Sequence, residues 1–401
     1  MSSTTVSTFV AAGLLAALCG CTSESGDPPP NYVPPAGGST SAGGGGAGGG
    51  GAGGGAGGVA PQGGSGGVAP QGGTGGGGGN AGGAAGTAGT GGDGGGAGAG
   101  DITAVRPTMG CTMAPPVDLE QGNFTERHME VSGTKDPDST DTNIDGPWTM
   151  DRQYFVRLPN GYDNTKAYPM ILQGPGCGGD GRAVYPLGDI ADQVIKVGFT
   201  PPDPGIVGHV EAPGGGCFDD KEGDDSVDWP FYEAVWDLLA SELCFDQNRV
   251  FASGNSSGAW WGNELACKYA GDPNYPMRGI GVNTGGLPTD PTRVPTCNNN
   301  PFSGMWIHET NDGTNPFTGN KVAIARAMSV NGCTIGTNYD DTSFENYPIG
   351  GGNPDDTCRK IQGCPDLFPL VVCELPGNGH GSHDNVANPG FSTFFASHFA
   401  Q

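Results

Sequence analysis

Five residues past the middle of the chain constrain its fold more than any others: Gly254-Asn255-Ser256-Ser257-Gly258. Before them, Arg249 to Ser253 reads as a short buried strand. After them, Ala259 to Tyr269 reads as a helix with Trp260, Trp261, Leu265 and Ala266 available for packing. A G-x-S-x-G run between strand and helix describes a sharp turn that holds its serine strained and exposed at the end of a sheet. Its neighbours must be small, which is why glycines flank it. A plain Gly/Ser turn is the bland alternative in a chain with 79 glycines. Strand before and helix after favour Ser256 as a nucleophile.

Most of those glycines lie elsewhere. From Ala36 to Gly100 the chain is almost entirely Gly, Ala, Ser, Thr and Pro, and Gly-Gly-Val-Ala-Pro-Gln-Gly-Gly occurs at 57–64 and again at 66–73. Such a segment has no side chains with which to build a core. Residues 22–100 are therefore expected to form a flexible tether, in which the coil at 36–100, about 65 residues, has a reach on the order of 45 Å. Ahead of it, Val6 to Leu18 is an apolar run too short for a comfortable membrane span, as in a signal peptide. The run ends in Leu18-Cys19-Gly20-Cys21, which resembles a bacterial lipoprotein signal over residues 1–21 with Cys21 as the lipidated residue. Simple secretion by a cleaved signal is the alternative. By the same resemblance, Thr22-Ser23 after the cysteine, where no aspartate stands, implies the outer membrane or cell surface.

Residues 101–401 are long enough for one sizeable core. They carry nearly all of the net charge of −25, since no basic residue and only Glu24, Asp27 and Asp93 precede Asp101. That balance argues against nucleic acid and anionic lipid surfaces as partners, leaving the lipid anchor as the only expected membrane contact. Ten cysteines beyond Cys21 suggest up to five disulfides in an exported chain. Cys244 and Cys267, which flank the elbow strand and helix, are one guess at a pair. There is no Cys-x-x-Cys, and no His-x-x-x-His falls on a predicted helix, so no metal is expected.

The order of elements alternates. Strands are expected at Asn123–Ser132, Arg152–Leu158, Tyr168–Gln173, Gly205–Val210, Arg249–Ser253, Gly279–Val282, Met305–His308 and Leu367–Cys373. Helices are expected at Ala183–Val197, Val227–Leu243, Ala259–Tyr269, Lys321–Val330 and Phe391–Phe399. This is an α/β chain with a mainly parallel sheet covered on both faces. Active sites in such sheets lie at the carboxyl ends of the strands.

That rule selects partners for the serine. A serine hydroxyl is a poor nucleophile and needs a base, which in turn needs an orienting acid. Past the strand at Met305–His308 stands Asp312, with Asp340 and Asp341 as less well placed rivals. Past the strand at Leu367–Cys373 stands His380 in Gly377-Asn378-Gly379-His380-Gly381, with His383 as its competitor. The chain order Ser, Asp, His is that of the α/β-hydrolases. Oxyanion donors are expected from the backbone N–H of Ser257 and from the loop Gly174 to Gly179. Pro175 has no N–H there, so Gly176 or Cys177 is the second donor.

These blocks resemble extracellular α/β-hydrolase esterases of the feruloyl esterase and polyhydroxybutyrate depolymerase type. The likeness runs from about Asp151 to Gln401 through Tyr154–Asp163, Gln173–Gly179, Cys244-Phe245-Asp246 before Arg249-Val250, His308–Asp312, Asn331-Gly332-Cys333 and Gly377–His380. It implies Ser256, Asp312 and His380 as a triad, no cofactor, and an ester substrate such as a feruloyl or acetyl ester of polysaccharide or a short polyester. Gln173 stands where the family has an oxyanion histidine, Pro175-Gly176 look inserted, and Glu309 replaces a glycine. Trp260 and Trp261, with Trp229 and Phe231, are candidates for an aromatic substrate pocket. Two other classes compete: an inactive surface-binding protein on the same fold, and a calcium-binding module at Asp219, Asp220, Glu222, Asp224, Asp225 and Asp228. That acidic run lacks EF-hand spacing and reads as a solvated loop.

Overall fold

A computed structural model describes residues 101–134, 147–202, 216–219, 223–377 and 379–399. The expected signal peptide with Cys21, the expected tether at 22–100, the strand expected at Gly205–Val210, and Asp220 and Glu222 of the acidic run lie outside the described residues.

Among the described residues one sheet contains ten strands: β1 Thr125–Thr134, β2 Pro147–Arg157, β3 Tyr168–Gly174, β4 Ile195–Phe199, β5 Phe245–Asn255, β6 Gly279–Asn283, β7 Ser303–Glu309, β8 Phe344–Asn346, β9 Arg359–Ile361 and β10 Leu370–Leu375. Their spatial order is β1-β2-β4-β3-β5-β6-β7-β10-β9-β8. The six central strands, β4 to β10, run parallel, while β1, β2, β8 and β9 add antiparallel edges. The crossover of β3 and β4 beside an antiparallel leading pair, followed by consecutive parallel strands, is the α/β-hydrolase fold expected from the sequence.

Alternation along the strands builds two cores. Met170 and Leu172 of β3, Val250 and Ala252 of β5, Trp306 of β7 and Val372 of β10 enter one layer. Helices α1 (Asp228–Glu242), α2 (Ser257–Tyr269) and α3 (Phe317–Val330) close it through Trp229, Trp236, Leu239, Trp261, Leu265 and Ile324. Ile171, Phe251, Met305, Ile307 and Val371 enter the other layer, beneath Phe391, Phe394 and Phe395 of α4 (Asp384–Ala396). This period of two, apolar on both faces, is what a doubly covered parallel strand requires. Pro389 inside α4 offers no N–H to the Asn385 carbonyl; Asn353 Nδ2 donates to that carbonyl instead, at 2.9 Å.

Three expectations fail. The helix at Ala183–Val197 does not form: Leu187, Ile190 and Val194 pack as an irregular segment with one short 3-10 turn, Gly188–Ile190. Pro186 and the left-handed Leu187 (φ 61°) and Gly188 (φ 41°) break the helical run, and the sheet claims Ile195–Phe199 between β2 and β3. Gly198 makes that insertion possible, since a Cβ there would lie 1.7 Å from the Gly181 carbonyl oxygen. Second, α4 begins at Asp384, well before Phe391. Third, Cys244 pairs with Cys111 and Cys267 with Cys297. The segment at Thr108–Cys111 docks on the end of α1 (Gly110 N–H to Ala240 O, 2.9 Å) and delivers Cys111 to Cys244, while Cys267 faces the loop at Asn298. Cys177–Cys217, Cys333–Cys364 and Cys358–Cys373 complete five bridges, the full number expected.

Candidate active site

β5 ends at Asn255 and α2 begins at Ser257, so the candidate nucleophile occupies the single residue between strand and helix. Ser256 has φ 53° and ψ −118°, a conformation that non-glycine residues adopt only under constraint from their surroundings. Its N–H donates to the Asn283 carbonyl at 3.0 Å, and its carbonyl accepts from Ala259 and Trp260 at 2.9 and 3.1 Å. The flanking glycines are obligatory. A Cβ on Gly254 would lie 2.2 Å from the Gly258 carbonyl oxygen, and one on Gly258 would lie 2.0 Å from that of Gly174.

His380 stands over this serine. Its Nε2 lies 2.8 Å from Ser256 Oγ and its Nδ1 lies 2.7 Å from Asp312 Oδ2. With Nδ1–H donating to the carboxylate, Nε2 is the free acceptor, the tautomer needed to take the serine proton. Asp312 sits in the loop after β7, where its other oxygen accepts the backbone N–H groups of Thr314 and Asn315 at 2.8 and 2.9 Å. Burial opposes its ionisation, but hydrogen bonds from His380, Asn315 and Thr314 prevail and hold the carboxyl below its ordinary range. His308, wholly buried, supports the same loop: its Nε2–H donates to the Asn315 carbonyl at 2.7 Å and its Nδ1 accepts from Asn320 at 2.9 Å. Burial pushes its pKa down, so His308 is a neutral strut 3.6 Å from Asp312.

The loop after β3 closes over the turn. Gly258 N–H donates to the Pro175 carbonyl at 3.0 Å, and a Cβ on Gly176 would lie 3.3 Å from Ser256 Cβ. In this loop Gly178 N–H donates to Gly216 and Gly179 N–H to Gly176, while Pro175 has none. Gly176 lies beside the serine, and the Cys177–Cys217 bridge ties the next residue of the loop to the segment at 216–219. Ser257 opens α2, so its N–H is among the first-turn donors that have no acceptor within the helix. Its hydroxyl accepts from Phe218 N–H at 2.8 Å and is thereby committed to structure.

No family model matches the chain. In sequence it is similar to a "probable feruloyl esterase C" of Aspergillus terreus, 26% identical over 248 residues, covering 59% of this chain and 80% of that protein. Feruloyl esterase C of Emericella nidulans is 28% identical over 231 residues, 54% and 76% of the two chains. Feruloyl esterase D of Neurospora crassa is 24% identical over 309 residues, 74% and 89%. The chain has the α/β-hydrolase fold and is similar in sequence to feruloyl esterases. Among solved structures, an acetyl xylan esterase from Aspergillus awamori is similar with a TM-score of 0.44 and 14% identity, covering 67% of this chain and 99% of that one. At that level the likeness adds nothing to a fold that already rests on strand order.

The fold brings Ser256, Asp312 and His380 together, with Ser257 following the serine and Gly176 beside it; Cys177 lies in the same loop, bridged to Cys217. The rivals of Asp312 and His380 stand apart: His383 caps α4 and faces Glu309 at 3.5 Å, and Asp340 pairs with Lys321 at 2.5 Å. Of the tryptophans, Trp261 belongs to the core, stacked on Phe218 at 4.7 Å and 1% exposed. Trp229 and Phe231 are buried as well. Trp260 alone is half-buried near the turn, its ring against Gly319 of α3. Gln173 is also a core residue. Its amide donates to the Tyr185 carbonyl and to Ser253 Oγ, both at 3.1 Å, bracing the loop that replaces the expected helix. The acidic run is engaged in the fold. Asp228 and Arg152 form a buried pair at 2.6 Å, Asp219 accepts from Val227 N–H, and Asp224 pairs with Lys268.

Sequence reasoning missed Glu309. Its carboxylate accepts the Gly379 N–H, lies against Gly377 and faces His383, so it ties down the loop that carries His380. The extra carboxylate near Asp312 is a visible signal, but its target is not, since that comes from the loop after β10.

Proposed function

We propose that this protein is an exported serine carboxylesterase that hydrolyses ester bonds through an acyl-enzyme. The observation that carries this reading is the relay from Ser256 through His380 to Asp312, with contacts of 2.8 and 2.7 Å. His380 takes the proton as Ser256 Oγ attacks the ester carbonyl, and Asp312 stabilises the imidazolium that forms. The tetrahedral oxyanion is received by Ser257 N–H and by Gly176 or Cys177 N–H, each lowering the barrier by about 3 kcal/mol. His380 then protonates the departing alkoxide and activates the water that releases the acid. Each step is general acid–base or nucleophilic chemistry of these side chains, so no cofactor is required.

Feruloyl or acetyl esters of polysaccharide, or short polyhydroxyalkanoate-like polyesters, are the substrate classes. The similarity to feruloyl esterases supports the first, and Trp260 is the aromatic surface available to an acyl group. Five disulfides support an oxidising, extracytoplasmic location. Among the described residues no helix is long and apolar enough to cross a membrane, and we assign membrane attachment to a lipid on Cys21 with 22–100 as tether.

The test is fluorophosphonate labelling of the full chain with the adduct mapped by mass spectrometry. Labelling is expected on Ser256, lost in Ser256→Ala and reduced at least a hundredfold in His380→Ala. A folded wild-type protein that takes no label would instead be a hydrolase-fold binding protein.

A further inference from the structure

Ser256, Asp312 and His380 are tied together at the end of a strand that supplies none of them. β6 lies between β5, which leads to Ser256, and β7, which leads to Asp312, with Asn283 opposite Asn255 and Ile307. Asn283 and Thr284 are wholly buried, so neither is placed to touch a substrate. Their contacts nevertheless reach the segments that carry all three residues. The Asn283 carbonyl accepts the Ser256 N–H at 3.0 Å. The Thr284 carbonyl accepts from Asn315 Nδ2 at 2.7 Å, and the Asn315 N–H donates to Asp312 Oδ1 at 2.9 Å. Asn283 Nδ2 donates to the carbonyl of Gly381, the residue after His380, at 2.9 Å.

The last of these contacts matters most for the base. His380 stands between Gly379 and Gly381, which leave the backbone around it free to turn. Glu309 holds one side of the loop by accepting the Gly379 N–H. On the other side the Gly381 carbonyl can only accept, which fixes the Asn283 amide with its nitrogen towards the loop. The same nitrogen lies 2.9 Å from Oδ1 of Asn255, the residue before Ser256, and 3.1 Å from the Tyr185 hydroxyl. That hydroxyl passes its own proton to the Ser382 carbonyl at 3.1 Å. One side chain therefore joins the residue before the nucleophile to the residue after the base.

Packing alone does not account for an amide here. Asn283 Oδ1 is buried with no hydrogen-bond partner among the described residues, a cost that an apolar side chain of similar size would avoid. The next residue, Thr284, has φ 54°, a left-handed conformation that is a genuine outlier for a β-branched side chain. Strain of this kind persists only where the surroundings over-determine it, and it gathers at functional sites. We infer that Asn283 is a positioning residue of the relay: by holding the Gly381 carbonyl against the turn at Asn255–Ser256 it sets the separation of His380 Nε2 from Ser256 Oγ. This rests on the serine-esterase reading above.

The experiment uses the full chain and para-nitrophenyl acetate, with fluorophosphonate titration run to completion so that kcat is expressed per labelled Ser256. Asn283→Ala is expected to lower that kcat about a hundredfold, the scale of a misplacement of about 1 Å, with KM within about twofold of wild type. Asn283→Asp has the same shape but offers no N–H to the Gly381 carbonyl, and should fall as far. Tyr185→Phe keeps the amide and removes only the link to Ser382, so a loss of about threefold in kcat at constant KM is expected. A merely structural role would lower the labelled fraction and leave kcat per labelled serine within about threefold of wild type; that result overturns the inference, as does a loss borne by KM. Should Asn283→Ala not fold, Tyr185→Phe decides: a lower kcat at constant KM supports the positioning role, and a wild-type kcat overturns it. A labelled wild type beside an indifferent Asn283→Ala removes this inference and leaves the esterase reading standing. A folded wild type that takes no label removes both.

Discussion

At the scale of single residues, the site depends on groups whose geometry is set from outside the relay. Asp312→Asn would leave an amide where His380 Nδ1–H needs an acceptor and so favour the wrong imidazole tautomer. A fall in kcat of about 10⁴ is expected with KM little changed, read in steady-state assays. Glu309 acts one step further away, through the loop it ties down. Glu309→Ala should lower kcat about tenfold, whereas Glu309→Gln keeps an acceptor for Gly379 N–H and should recover most of it. Equal losses in the two variants would mean that charge, not the hydrogen bond, is the relevant property. Gly258→Ala needs no assay of chemistry. A Cβ 2.0 Å from a backbone oxygen forces the turn apart, and a loss of about 3 kcal/mol or more should appear in denaturant unfolding.

At the scale of elements, α4 and its C-terminal end carry a pH dependence. His398 is buried and fully bonded, with Nδ1–H to the Phe394 carbonyl and Nε2 accepting from Ser303, both at 2.8 Å. Burial lowers its pKa to about 4, Phe394 partly opposes this, and Arg278 adds to it. The folded state therefore resists protonation while the unfolded chain takes a proton near pH 6.5. Stability is full above pH 6.5 and falls by roughly 3 kcal/mol as pH drops to 4. His398→Gln should flatten that slope in unfolding curves taken between pH 7 and 4.5. The loop after β3 depends on a disulfide instead. Removing the Cys177–Cys217 bridge by a double serine substitution should lower kcat, because the bridge holds the loop whose Gly176 lies beside Ser256. The equivalent change at Cys333–Cys364, between the end of α3 and the loop before β10, should cost stability, about 2–4 kcal/mol, with kcat kept.

At the scale of the whole molecule, parallel strands bring Ser256, Asp312 and His380 to one end of the sheet from positions 256, 312 and 380 in the chain. On the proposed lipidation, Cys21→Ser is expected to shift the protein from membrane to soluble fractions with esterase turnover unchanged, since Ser256, Asp312 and His380 all lie beyond residue 100. The sequence by itself determined the turn, because strand, glycines, serine and helix are contiguous and their local sterics admit one geometry. It likewise determined the alternation of strands and helices, through the period of their apolar residues, and pointed to the two loops whose Asp312 and His380 meet Ser256 in the fold. Tertiary structure alone decided the rest. Ile195–Phe199 became a strand because the sheet had room for it between β2 and β3, overriding a helical spacing already broken by Pro186 and Gly188. Cys111 reached Cys244 because a distant segment docks on α1, and no spacing encodes that. Trp261 went to the core and Trp260 to the rim although they are adjacent, since one helical step turns a side chain by about 100°. Glu309 acquired its partners Gly377, Gly379 and His383 from the loop after β10, and such contacts exist only once the chain has folded.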